Sequence, residues 1–273
     1  TKRNVWWQNH DSAMVRTGVG MSLTSKQQAI EAYQSAYSAS NFEVIQAQYR
    51  KRLLLELLEK HQPKRILEVG CGWDTIANSW QGFEHLCIVE PGSEFAEKAR
   101  QDMANNNKVT VVQHFLEDAT EQLQGDYDLI LLSSLLHEVP DVEALMLSAK
   151  ALCAKHTLVH VNVPNAKSMH RLLALEMGLI ETLYAPSDLQ KTFKQPRIFD
   201  LQSLRALAQL AGFDVVSEGS FFMKPFTHAQ MHSLAQSGFA NQAMLDGLWA
   251  LTKHFPDNGS EIYMNLQRKE STS

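Results

Sequence analysis

No apolar run in the chain comes near the roughly 20 residues that span a bilayer, and the opening stretch TKRNVWWQNHDSAMVR carries no signal-peptide core. A cytoplasmic, soluble protein with no membrane partner is therefore expected. Cysteine is scarce. Cys71, Cys87 and Cys153 are an odd number with no C-x-x-C pair, which argues against a disulfide framework and a zinc site, so no metal is expected. Positive charge is short as well: 25 Lys and Arg stand against 30 Asp and Glu, so the chain lacks the overall positive field that nonspecific nucleic-acid binding uses. No nucleic acid is expected as partner. There is also no internal repeat and no low-complexity tract, so nothing divides the 273 residues into separate large domains.

What is present reads as one α/β unit behind a helical cap. From Lys26 to Lys60 apolar residues such as Tyr33, Tyr37, Tyr49, Leu53, Leu54, Leu57 and Leu58 recur at three- and four-residue steps, which predicts two helices broken near Ser40 and Asn41. Residues 1–62 are taken as this cap and 63–273 as the main domain. After Pro63 short apolar runs alternate with helical stretches, the pattern of a parallel sheet covered on both faces. The predicted strands are 65–70, 85–90, 108–115, 127–134, 156–163, 214–223 and 261–267. Helices are predicted at 74–80, 93–105, 120–123, 142–154, 168–180, 201–210 and, as one long region, 227–254. The segment at about 164–200 is too long for a plain connection and reads as an insertion after the fifth strand.

The stretch Arg65 to Asp74 reads RILEVGCGWD. A strand running into G-x-G lets the backbone turn tightly and approach a ligand, because glycine has no Cβ in the way. Gly70 and Gly72 then lie at the carboxyl ends of the strands, where open α/β sheets bind ligands. Glu90 closes the next strand, twenty residues after Gly70, where a carboxylate can accept hydrogen bonds from both hydroxyls of a ribose. An adenosine-like ligand is expected. A nicotinamide dinucleotide would call for a third glycine where Thr75 stands, and Trp73, Asp74 and the nearby Glu68 are poor company for two phosphates.

The strings EVGCGWD, VEPGS, FLEDA and YDLILLSSLLHEVPD, in that order, resemble the cofactor motifs of class I S-adenosylmethionine-dependent methyltransferases of the small-molecule type. The resemblance covers about 65–165, and the later order of helix, AGF, strand, long helix and final strand is similar to that family's end. It implies a doubly wound, mostly parallel seven-stranded sheet, the Rossmann-like methyltransferase fold, with its last two strands antiparallel at one edge. S-adenosyl-L-methionine is the implied cofactor. Carried over residue by residue, the resemblance implies that Glu68, Gly70, Cys71 and Gly72 line the methionine part, and that Glu90 holds the ribose with Pro91 beside the adenine. Asp118 would meet the adenine amino group with Glu117 adjacent, and Ser133 would offer backbone contacts near the amino acid end. Asp74 departs from the family, many of whose members carry a third glycine there.

Methyl transfer needs the acceptor positioned and its proton managed. His137, at the rim after the fourth strand, is the candidate base if the acceptor is a hydroxyl; a bond to Glu138 or to backbone is the plain alternative. His170 and Arg171 lie in the insertion with Lys167, Lys191, Lys194 and Arg197, a local basic excess suited to a small-molecule acceptor with a carboxylate or phosphate, or simply a solvated surface. Asp118 alone could cap the helix expected near Thr120. Trp6, Trp7, His10, Tyr33 and Tyr37 are read as a lid or as apolar docking of the terminus. The function expected is O-methyl transfer to a small molecule, with N-methyl transfer, an inactive cofactor-binding partner protein and a nicotinamide oxidoreductase as alternatives.

Overall fold

Seven short runs of mainly apolar residues make one sheet: β1 (Arg65–Val69), β2 (His85–Val89), β3 (Val109–Val112), β4 (Tyr127–Ser133), β5 (Cys153–Pro164), β6 (Phe213–Phe221) and β7 (Glu261–Arg268). The computed structural model describes residues 42–123, 125–186 and 197–270. The helix expected before Ser40, the aromatic residues from Trp6 to Tyr37, and Lys191 and Lys194 lie outside them. The strand order is β3-β2-β1-β4-β5-β7-β6. Every pair among β1 to β5 is parallel, while β7 is antiparallel to both β5 and β6, as the expected edge pair requires. The carboxyl ends of β1 to β5 and the start of β7 therefore share one rim.

The helices are α1 (Glu43–His61), α2 (Ser93–Asp102), α3 (Leu116–Ala119), α4 (Val142–Ala151), α5 (Met169–Glu176), α6 (Leu201–Leu210), α7 (His228–Gln236) and α8 (Gln242–Ala250). Alternation along the strands sends side chains to two faces. Leu67, Ile130, Leu132, Val159 and Val161 pack with α4 and α6, whereas Ile66, Leu129, Leu131 and Leu158 pack with α1 and α2. A third cluster joins Phe42 and Tyr49 to Phe221, Phe222, Met231 and Leu245, which seats α7 and α8 against the first half of α1. No described helix is long and apolar enough to cross a membrane.

Three helix expectations are corrected. Residues 74–80 form only a 3-10 turn, Ile76–Asn78. The helix near 120 is instead Leu116–Ala119, with Asp118 as its third residue, so Asp118 cannot be the cap of a helix starting at Thr120. The single helix over 227–254 is two, because Gly238 turns with φ +76° and the Asn241 side chain accepts from the Met244 amide to begin α8.

On α1, Glu43, Gln46 and Arg50 stand three and four residues apart and so share a face. They meet Glu261, fully buried at the start of β7. Glu261 accepts from Arg50 (Nε 3.1 Å, Nη2 2.5 Å), from Gln46 Nε2 (2.8 Å) and from Asn162 Nδ2 (2.8 Å). Arg50 also reaches Glu43 at 3.0 Å. Lys224, buried after β6, donates to Gln46 (3.3 Å) and lies 2.9 Å from His228 Nδ1, whose Nε2 is 3.4 Å from Glu43. The contacts close a ring. Burial pushes the Glu43 carboxyl up, but Arg50 and His228 overcome it and hold it at about 2. Burial brings Lys224 down to about 8.

Arg50→Met would leave Glu261 charged and buried without its cation. It is expected to cost about 3–5 kcal/mol in urea denaturation, and the double variant Arg50→Met/Glu261→Gln is expected to recover more than half of that. A single-variant cost below about 1 kcal/mol, the range of an exposed ion pair, would contradict this role for the ring.

Candidate functional site

The first turn at the rim is built by glycine conformation. Gly70 and Gly72 have φ of +73° and +56°, a region that L side chains rarely adopt. A Cβ on Gly70 would press on Leu135 at 3.3 Å, whereas one on Gly72 would meet nothing within 4 Å. Here bare backbone borders open space.

Glu90 joins this turn to the next one. One carboxylate oxygen accepts from the Gly72 amide (3.2 Å) and the other from the Gly92 amide (2.8 Å). The Cys71 side chain adds a third hydrogen bond to this carboxylate. Burial raises the Glu90 carboxyl above its ordinary range, and the two amides oppose that shift. Pro91, half-buried, leads from Glu90 into the start of α2.

Glu68 is employed differently. Its oxygens accept from the Thr75 hydroxyl and from the Ile76 amide (2.9 Å), and Thr75 Oγ1 in turn caps the 3-10 turn through the Ala77 amide (3.2 Å). Burial, with Asp74 and Glu90 adding to it, raises Glu68 to about 7. Asp74, where a third glycine would stand, pairs with Lys51 of α1 and accepts from Asn78 (2.9 Å). Trp73 sets its ring edge-on to Phe95, centroids 4.8 Å apart. Cys71 is buried with its thiol pushed up by burial, which is the opposite of an activated thiol.

Along the rim, Glu117 (half-buried) and Asp118 (exposed) sit in α3 just past β3, and Ser133 ends β4. Ser134 follows with φ +55° and donates its amide to Asn162 O at 2.9 Å. A non-glycine residue held in that region signals local strain of the kind found at functional turns. His137, 4% exposed, has Nε2 3.4 Å from its neighbour Glu138, while Nδ1 has no partner. Glu68, Gly70, Cys71, Gly72, Glu90, Pro91, Glu117, Asp118, Ser133 and His137 thus all follow or end β1 to β4 on one edge.

The insertion residues divide. His170 lies in the first turn of α5 with its ring hydrogen-bonding toward the Lys224 backbone, and burial drives its pKa well below 6.5. The Arg171 guanidinium is spent on the Leu183 carbonyl (2.7 and 3.2 Å) and the Ala185 carbonyl (2.6 Å). Lys224 and His228 escaped the sequence reading; their only trace is a lysine inside the apolar run FFMKPF. Among the described residues no group of three or more His, Cys, Asp or Glu could hold a metal ion.

The family described as "Methyltransferase domain" matches residues 42–218. Over 106 residues, 38% of this chain and 45% of the relative, the sequence is 30% identical to the ubiquinone biosynthesis O-methyltransferase of Vibrio parahaemolyticus serotype O3:K6. The chain spans about half or less of the length of the curated relatives it matches. The N-methyltransferase NodS from Bradyrhizobium japonicum WM9, in complex with S-adenosyl-L-homocysteine, shares the fold with TM-score 0.54 and 10% identity, covering 89% of this chain and 98% of that one. The plantazolicin methyltransferase BamL does so with TM-score 0.53 and 12% identity, covering 90% and 99%.

Because the folded state raises Glu68 to about 7, it favours the protonated acid relative to the unfolded chain. This group's contribution to stability is therefore full below its unfolded pKa of about 4.3 and is lost as pH rises through about 7. Glu68→Gln is expected to remove that part of the pH dependence, on the order of 2–3 kcal/mol between pH 4.5 and 8. Parallel stability profiles of variant and wild type over this range would contradict the assignment.

Proposed function

The chain belongs to the methyltransferase-domain family, whose cofactor is S-adenosylmethionine, and on that premise we propose that the protein moves a methyl group to a hydroxyl oxygen of a small molecule. The observation that carries the cofactor seat is the Glu90 carboxylate, which bridges the Gly72 and Gly92 amides beside open space at Gly72.

When bound, S-adenosylmethionine supplies a methyl group on a sulfonium for in-line displacement. In this reading Glu90 holds the two ribose hydroxyls and Pro91 lies beside the adenine. Asp118 meets the adenine amino group, with Glu117 next to it. Gly70, Cys71 and Gly72 present backbone to the methionine end, and Ser133 adds backbone from β4. Glu68 acts through the loop it folds. The 3-10 turn after the glycines has only three residues to offer a pyrophosphate.

His137 is the proposed base: Nδ1 takes the acceptor's proton, and Glu138 beside Nε2 steadies the imidazolium that results. Oxygen is preferred as acceptor on the likeness to the O-methyltransferase relative. The net charge of −5 supports a small acceptor over a nucleic acid, and the free, buried state of Cys71, Cys87 and Cys153 fits the cytoplasm.

Titration with S-adenosylhomocysteine is expected to raise the melting temperature of the wild type, and Glu90→Ala is expected to lose most of that shift; an unchanged shift would remove the ribose assignment. His137→Ala is expected to keep the shift and to lower turnover by about 10²–10⁴-fold. Near-normal turnover would end its part as base.

A further inference from the structure

The loop from Ser134 to Asp141, between β4 and α4, carries His137 and is fastened along its length. At its start the Ser134 amide donates to Asn162 O (2.9 Å), and at its end the Asp141 carboxylate accepts from the Ala144 amide (3.0 Å) to begin α4. Between them the Glu138 amide donates to Leu135 O (2.9 Å) and the Leu136 side chain is fully buried. One side of the loop meets the cofactor turns. Leu135 Cδ1 lies 3.3 Å from where a Cβ on Gly70 would stand, and the Glu138 charge adds to the upward shift of Glu90. His137 itself does little to hold its own ring. Nε2 lies 3.4 Å from the adjacent Glu138 and Nδ1 has no partner among the described residues, so the ring's direction follows from the loop's backbone.

That backbone is held from the insertion. Arg197 Nη1 donates to Val139 O and to Pro140 O, 3.0 Å each, two and three residues past His137. Hydrogen bonds from a cation are roughly twice as strong as neutral ones, and here both fall on main chain.

Arg197 is fixed in turn. Two residues on, Phe199 O accepts the Ala166 amide (2.7 Å), and Phe199 forms a parallel bridge with Asn165 just after β5. Next comes Asp200, buried, which accepts from Lys167 Nζ, Tyr184 Oη and the Ser203 amide, each at 2.8 Å. Burial would raise its carboxyl, but Lys167 and the Ser203 amide outweigh that and hold it well below the carboxylate range. Arg171 adds its bonds to the Leu183 (2.7 Å) and Ala185 (2.6 Å) carbonyls. The start of the insertion, the stretch at 183–185 and its exit are thus tied into one body, and at Arg197 that body grips the loop of His137.

We infer that Arg197 is a positioning residue for methyl transfer: through the Val139 and Pro140 carbonyls it sets the direction of His137, so that the insertion acts on turnover through the base. This rests on the reading of His137 as that base.

The test compares initial rates of wild type, Arg197→Met, His137→Ala and the double variant, with S-adenosylmethionine labelled in the methyl group and a deproteinised small-molecule cell extract as acceptor pool. Arg197→Met is expected to lose about tenfold, since a misplacement of about 1 Å can cost up to 10²-fold. Arg197→Lys, a cation of shorter reach, is expected to fall between it and wild type, and serves in its place if Arg197→Met does not fold. Once His137 is gone, losing Arg197 should matter little, and the double variant is expected within about twofold of His137→Ala. Losses that multiply would overturn the inference, because an arginine of merely structural use lowers both backgrounds alike. So would a near-normal rate in Arg197→Met. His137→Ala at a near-normal rate would instead bring down the base reading and the inference with it, and no label from the wild type would bring down methyl transfer itself. Hydrogen exchange needs no acceptor: the Ser134 and Glu138 amides are expected to exchange faster in Arg197→Met, with those of Gly72 and Gly92 as in wild type. Unchanged exchange at Ser134 and Glu138 in the folded variant would overturn the coupling.

Discussion

A single carboxylate ties together the two loops on which the site depends. Glu90 ends β2, and its oxygens take the amide of Gly72 from the loop after β1 and the amide of Gly92 from its own loop. Burial would favour neutralising it, and the amides work against that. The loops are thus placed before any ligand arrives, so that binding does not have to order them. Glu68 does the corresponding work one strand over, closing the glycine turn through Thr75 and Ile76.

The other half of the rim rests on buried ion pairs. Glu261 and Glu43 against Arg50 and Lys224 bring the first half of α1, the start of β7 and the segment between β6 and α7 to one place. Such a ring is poor evidence for net stability, since desolvation offsets much of the attraction, but it is intolerant of losing one member. It lies beside His170, whose ring leans on the Lys224 backbone, so packing of the first helix is coupled to the entry of α5.

The strands, the glycine turn and the acid at the next strand end could be read in the sequence because they are local signals. Buried parallel strands appear as short apolar runs, and a glycine turn with an acid at the next strand end keeps its spacing whatever lies far away. The ring could not be read. Arg50 and Glu261 are 211 residues apart and Asn162 and Glu261 are 99 apart, and no periodicity links them. Chemistry that depends on direction was equally hidden: nothing in EVGCG reveals that Glu68 turns back into its own loop, or that Arg171 is consumed by two carbonyls. Glycine at 238 did carry a local signal, outweighed by the helical pattern on either side.

A crystal structure with S-adenosylhomocysteine tests the place of Glu90 most directly. Both ribose hydroxyls within about 2.5–3.0 Å of its carboxylate oxygens, with the amino acid tail along Gly70 and Gly72, is the result expected. A ribose held elsewhere, with neither hydroxyl bonded to Glu90, would contradict it.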